Sequence, residues 1–334
     1  MKRNSAISIL RVMAMSLIVF THLCHLYNWV AIRALIFGVP LFLCISGYLY
    51  SKKTITNWKK FFIGRVEKIV LPVWIFAFFV MLYSSIVIGE RPSVLDICLQ
   101  ALNLQGISNF FYFIPVSPFG DNANLWFMTI IMICYLLLPI IQLFFKRITK
   151  LWTVCILFVI SILFEMIGIG FLYIFTFLIG YYVGKIEYKR PINIKNILVI
   201  GSFVFVLWLI RIFARPFIDG TIIYNKVISN ASLDILAFWV FILFLYLYPK
   251  MQKMFDYVAQ SRWFMWLDAI SIYVYIVHRL FYAGFWKVTF ITSNLFLQTL
   301  LVIIFSIILA MILKFITEKL QKNIFHVIFK TKDV

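Results

Sequence analysis

Residues Met1 to Trp29 read MKRNSAISILRVMAMSLIVFTHLCHLYNW. A basic start leads into an apolar run long enough to cross a bilayer, and Arg11 and His22 stand inside that run. They are eleven residues apart, about three helical turns with only ~20° of drift, so both side chains leave one stripe of the helix. The rise per residue separates them by roughly 16 Å along the axis, about half the hydrocarbon thickness. An ionisable side chain at that depth must be paired or line a wet cavity. Two on one stripe predict a shared cavity running into the membrane.

The rest of the chain supplies walls for such a cavity. Its 334 residues are 64% hydrophobic and 13% charged, and the mean hydropathy is +1.02. Too few charges remain to cover a soluble surface, so the fold class is all-α, a polytopic membrane protein. The excess of 31 Lys and Arg over 12 Asp and Glu does not point to nucleic acid, because the cations fall in short clusters between apolar spans. They act as topology determinants and contacts for anionic lipid headgroups. The five cysteines have no paired or metal-ligand spacing and read as small apolar residues, so no metal site is expected. The N-terminus lacks a small-residue cleavage site and is expected to stay as the first helix.

Apolar windows fall near 5–27, 31–50, 67–88, 124–145, 151–166, 169–184, 197–213, 228–248, 265–288 and 295–316, about ten transmembrane helices. Basic clusters from Lys52 to Lys68, at Lys146 to Lys150, at Lys185 to Lys195, at Lys250 to Arg262 and after Lys314 join Lys2 and Arg3 on one side. The opposite connections hold few cations, which puts both termini in the cytoplasm. Residues 1–334 are expected to form a single transmembrane domain with no appended soluble domain, and no internal repeat is visible in the sequence. The outer connection, Gly89 to Ala123, contains SNFFYFIPVSPF and is too apolar to hang free in water. It is expected to fold back on the outer membrane face as a lid or re-entrant segment.

Arginine, with five fixed donors and a permanent charge, suits a phosphate or carboxylate, so Arg11 can meet an anionic ligand entering from the cytoplasm. His22, nearer the outer face, is the natural general base. Arg65 and Lys68, three residues apart at the start of the third span, form either a phosphate clamp or further positive-inside charge. In the ninth span Asp268, Ser271, Tyr275, His278 and Tyr282 are spaced three, four, three and four, a polar stripe down one helix face. That stripe either hydrogen-bonds between helices or lines the acceptor side of the cavity.

Several of these features resemble the membrane acyltransferase 3 family. They are the Arg-x10-His pair, PLFLCISGYL from Pro40 to Leu49, and a basic pair followed by Ile-x-x-Pro ending at Pro72. Asn124-Leu125-Trp126-Phe127 with Tyr135 and Pro139, and the trio Ser271, Tyr275 and His278, are similar to it too. The resemblance covers roughly the whole chain. It implies a ten-span bacterial cytoplasmic-membrane O-acyltransferase, most often an O-acetyltransferase. Such an enzyme takes an acyl group from cytoplasmic acyl-CoA, usually acetyl-CoA, and passes it to a hydroxyl of an extracytoplasmic or lipid-linked polysaccharide. His22 is then the catalytic histidine, with Arg11, Arg65 and Lys68 near the acyl-CoA. Two departures stand out. Lys68 replaces the second arginine of the family's basic pair, keeping charge and losing bidentate geometry. Thr129, Ile130 and Ile131 occupy a neighbourhood where many members carry a glutamate.

The remaining expectations concern partners of these groups. Asp234, near the outer end of its span, is the preferred carboxylate to orient His22, with Glu165 as the alternative. His25, one turn beyond His22, is expected to be interfacial rather than catalytic, with contact to a sugar as the alternative. Trp126, Tyr275 and His278 are placed on the acceptor side, and Trp126 can stack on a sugar. A homo-oligomer is allowed, and the rival function is a transporter or flippase of a glycan or anionic substrate.

Overall fold

The computed structural model describes residues 4–26, 36–147, 150–187, 192–221 and 223–325. Among them there is no strand, only one isolated antiparallel bridge between Phe111 and Ile169. Each of the ten expected spans contains a helix. Six helical stretches are long and apolar enough to cross a membrane: Ser5–Cys24, Trp58–Ile88, Gly120–Arg147, Ile194–Ile218, Ile223–Leu247 and Leu295–Asn323. Three further apolar helices are shorter, at 14 to 16 residues.

Helix α1 (Ser5–Leu26) is started by Asn4, whose side chain accepts from the Ala6 and Ile7 amides. The shorter helix α2 (Gly38–Ser51) follows. The third span begins as α3 (Trp58–Arg65), passes through a widened π turn at Val66–Val70 and continues as α4 (Leu71–Tyr83). Pro72 explains the π turn. Its ring would meet the Lys68 carbonyl four residues back and it has no amide to offer. The Leu71 amide reaches the Val66 carbonyl instead. The expected face shared by Arg65 and Lys68 therefore lies across a π turn rather than on a regular helix.

The outer connection does fold back. After Gly89, in the left-handed region at φ 83°, helix α5 (Val94–Ala101) presents exposed Val94, Leu95 and Ile97. The chain then returns to the next long helix. Asn103 donates to the Met128 carbonyl, Gln105 to the Leu125 carbonyl, and the Gly106 amide to the Thr129 hydroxyl. Thr129, standing where the family resemblance suggests a glutamate, thus anchors this segment to α6 (Trp126–Arg147).

Helices α7 (Leu151–Met166) and α8 (Phe171–Ile186) form a hairpin turning at Gly168, and α8 is buried along almost its whole length. It packs on α2 at the centre of the bundle. The approach is close enough that a Cβ on Gly47 would lie 1.9 Å from the Phe177 carbonyl oxygen, and one on Gly180 would lie 2.0 Å from that of Cys44. Small residues allow such backbone contact where lipid offers no hydrophobic drive. Around this pair stand α9 (Ile194–Ile218), α10 (Ser229–Leu247), α11 (Gln252–Gln260), α12 (Arg262–Val277), the single turn α13 (Arg279–Tyr282) and α14 (Leu295–Leu320). Helices α9 and α14 keep most of their apolar surface outward, with Phe213, Phe217 and Phe315 exposed as lipid-facing side chains are.

Candidate functional site

Helices α1 and α12 pack side by side and both ascend from the basic face, so their polar stripes meet rung by rung. On the lower rung the Arg11 Nε and Nη2 donate to Asp268 Oδ1 at 2.8 and 2.6 Å, and Nη2 also reaches Oδ2 at 2.5 Å. Asp268 is almost fully buried (4% exposed), while the Arg11 side chain keeps 35% exposure toward a cavity. A forked, permanently charged donor stabilises this buried carboxylate.

On the upper rung the His22 ring stacks on Tyr282, with centroids 5.2 Å apart and planes 16° apart, and lies 5.3 Å from His278. His278 and Tyr282 are themselves stacked at 5.6 Å. His278 is completely buried, and its Nδ1 is 2.7 Å from the Tyr275 carbonyl oxygen. A carbonyl only accepts, so the proton sits on Nδ1 and Nε2 carries the lone pair. That Nε2 is buried without a hydrogen-bond partner. An unpaired buried acceptor costs about 1–3 kcal/mol, a cost a ligand hydroxyl would offset.

Below the lower rung opens a cavity of about 370 Å³, lined by Arg11, Lys53, Arg65, Lys68 and Asp268 together with Tyr50 and Tyr135. Four cations face one carboxylate there, which suits a polyanion rather than a neutral solute. The Arg65 guanidinium sits 5.5 to 5.8 Å from the ring centres of Tyr50, Phe61 and Tyr135, an aromatic cage that fixes its direction. Lys68 and Lys53 are exposed and free to swing onto a phosphate. Arg11, Arg65 and Lys68 are thus brought together. Lys53, assigned to topology on the sequence, joins them because α2 ends beside the start of the third span.

The other expected residues go elsewhere. Asp234 lies in a second cluster, beside Thr176 and close enough to Glu165 for their charges to repel. Glu165 accepts from the Tyr112 hydroxyl at 2.7 Å and from the Leu172 amide, and Lys226 sits 4.0 Å from the centre of the Tyr112 ring. Tyr112 belongs to the outer connection, and burial beside the Glu165 carboxylate raises its phenol well above the ordinary range. This cluster pins the returning loop to α7 and α8, whereas the rings around His22 come from α12 and α13. The Tyr275 hydroxyl donates to the Asn124 carbonyl, and the Asn124 amide donates to the carbonyls of Tyr275 and Ile276 at 2.9 Å, so Tyr275 is a tie between α12 and the start of α6. The Trp126 ring lies tilted against Tyr173, 5.5 Å away, on the Glu165 side. The His25 side chain lies outside the described residues.

One group near the upper rung was missed. Arg279 follows His278 directly, hydrogen-bonds Tyr282 and acts on Asp121, whose carboxylate accepts from the Phe285 amide at 2.6 Å. Its signal was an arginine inside an apolar span, hidden because it falls off the three-four stripe of the ninth span. Among the described residues no group of three or more His, Cys, Asp or Glu gathers as metal ligands do.

A family model described as an acyltransferase domain matches residues 4–315 of the chain. No curated protein and no solved structure gives a match.

Proposed function

On the premise that the chain belongs to this acyltransferase family, as a multi-pass membrane protein, we propose that it is an acyl-CoA-dependent O-acyltransferase of the bacterial cytoplasmic membrane. The donor is acetyl-CoA or a close relative, and the acceptor is a hydroxyl of an extracytoplasmic or lipid-linked polysaccharide. One observation carries the reading. A cavity with four cations lies at the foot of the α1–α12 seam, and a histidine pair lies at its head.

The phosphates of acyl-CoA bind Arg65, Lys68 and Lys53, with Arg11 at the inner edge. The ~16 Å between Arg11 and His22 matches the reach of an extended pantetheine arm. His22 takes the proton of the acceptor hydroxyl as the oxygen attacks the thioester carbonyl. The carbon–sulfur bond then breaks, and the thiolate leaves with the proton returned by the imidazolium. His278 Nε2 can only accept, so it holds a second hydroxyl of the sugar or steadies the one that reacts. Arg279, beside Tyr282, supplies positive charge for the developing oxyanion. Asp234 is left outside this set, with Glu165.

Proteoliposomes loaded with labelled acyl-CoA test the proposal. Label should appear on an external polysaccharide acceptor only when the donor is supplied on the side bearing the basic clusters. Export of the glycan without acyl transfer would favour a transporter and overturn the reading.

A further inference from the structure

A second cavity, of about 230 Å³, lies against the outer side of the seam between α1, α12 and α14. It starts at Val12, one residue beyond Arg11, and ends at Leu23, one residue beyond His22, so its length follows the interval between the two rungs. On α12 it runs from Leu267 to Val274, one turn short of His278. It is larger than the ~150 Å³ engineered apolar cavity that takes up benzene.

Two serines make this more than an apolar gap between helices. Ser271 lines this groove and the cationic cavity alike, so its side chain stands at the boundary between the two spaces. Its hydroxyl donates to the Asp268 carbonyl at 2.9 Å, which leaves the oxygen lone pairs to accept. Ser306 on α14 is 1% exposed, lines the groove, and its hydroxyl has no hydrogen-bond partner. A helical serine normally turns its hydroxyl to the carbonyl three or four residues back, as Ser271 does to Asp268 and Ser202 does to Leu198. Ser306 does not. A hydrocarbon chain in the groove would leave that hydroxyl unsatisfied, whereas a chain carrying amides would satisfy it.

Resting on the donor assignment above, we infer that this groove is the channel for the pantetheine arm of acyl-CoA. Ser306 donates to an amide carbonyl of the arm, and Ser271 accepts from an amide N–H at the junction with the phosphate cavity. The arm thus runs along the α1–α12–α14 face, and its thioester end arrives beside Leu23 and Val274, next to His22 and His278. The mouth is bordered by Ser16, Phe20 and Ile303, all exposed at the lipid-facing surface, so the arm lies at the edge of the bilayer rather than in the middle of the bundle.

The test compares coenzyme A with phosphoadenosine diphosphate, its nucleotide half without the arm, by equilibrium binding to the full-length protein in detergent. Ser306→Leu, which fills the groove, should weaken coenzyme A by about tenfold or more, a loss of ~1.4 kcal/mol. The nucleotide half should be unaffected. Ser306→Ala removes only the hydroxyl and should weaken coenzyme A about threefold, again without touching the nucleotide half. Unchanged coenzyme A binding in both variants, which is also the result if bilayer lipid alone fills the groove, overturns the channel. So does equal loss of both ligands. A wild-type protein that binds neither ligand refutes the donor assignment itself, an outcome distinct from either.

Discussion

Arg11 and Asp268 form the rung that holds α1 against α12, and replacing Asp268 by Asn tests how much of the seam it carries. At about 4 Å and an effective permittivity of about 20 the attraction between such charges is about 4 kcal/mol. Desolvation offsets part of this. Asp268 at 4% exposure has lost nearly all its water, while Arg11 at 35% keeps some. Removing one partner of a fully buried pair costs about 3–5 kcal/mol, so the half-open Arg11 brings the expected loss for Asp268→Asn to about 2–3 kcal/mol. Arg11→Met alone takes the forked donor away from a buried carboxylate and should cost a comparable amount. The double variant Arg11→Met/Asp268→Asn removes both charges and should recover about 2 kcal/mol relative to the sum of the single losses. Urea unfolding in mild detergent, followed by tryptophan fluorescence, measures all four forms. Additivity within about 0.5 kcal/mol would refute the coupling and with it the ladder of facing polar rungs.

Further outcomes follow from the same geometry. Gly47→Leu should prevent stable assembly, since its Cβ alone would lie 1.9 Å from a backbone oxygen of α8, whereas Gly64→Ala, with open space around it, should be neutral or stabilise by up to about 1 kcal/mol; monodispersity and unfolding midpoint distinguish them. Arg65→Gln should raise the KM for acyl-CoA by about tenfold or more with kcat little changed, because it removes a caged cation and leaves the histidines alone; equal kinetics would exclude Arg65 from the donor site. His278→Phe should lower kcat by about ten- to a hundredfold at unchanged donor KM, with His278→Gln partly restoring it; a change confined to donor KM would place His278 outside the acceptor end.

Much of this was legible in the sequence because lipid punishes exceptions. Apolar windows and basic clusters located the helices, and the eleven-residue interval put Arg11 and His22 on one stripe. The spacing of Asp268, Ser271, Tyr275, His278 and Tyr282 likewise defined a stripe, but periodicity gives a helix's own faces and says nothing about which neighbour each face meets. The pairing of Arg11 with Asp268 was therefore invisible, although the ten residues from Asp268 to His278 nearly repeat the interval from Arg11 to His22. Asp234 was matched to His22 by depth alone. Depth does not record position around the bundle, and α10 brings Asp234 to α7 and α8 instead. Lys53 and Arg279 escaped for a related reason. A cation at a helix end or beside a stripe looks the same whether it faces headgroups or a cavity, and only the packing of α2 and α13 separates the two.

The most direct measurement is the rate of acyl transfer from labelled acyl-CoA to a polysaccharide acceptor by protein carrying His22→Ala, compared with wild type in the same vesicles. Coenzyme A binding serves as the control for folding. As general base, His22 predicts a fall of about a hundredfold or more in transfer with donor binding retained. Transfer at the wild-type rate would contradict the assignment of the chemistry to the head of the α1–α12 seam.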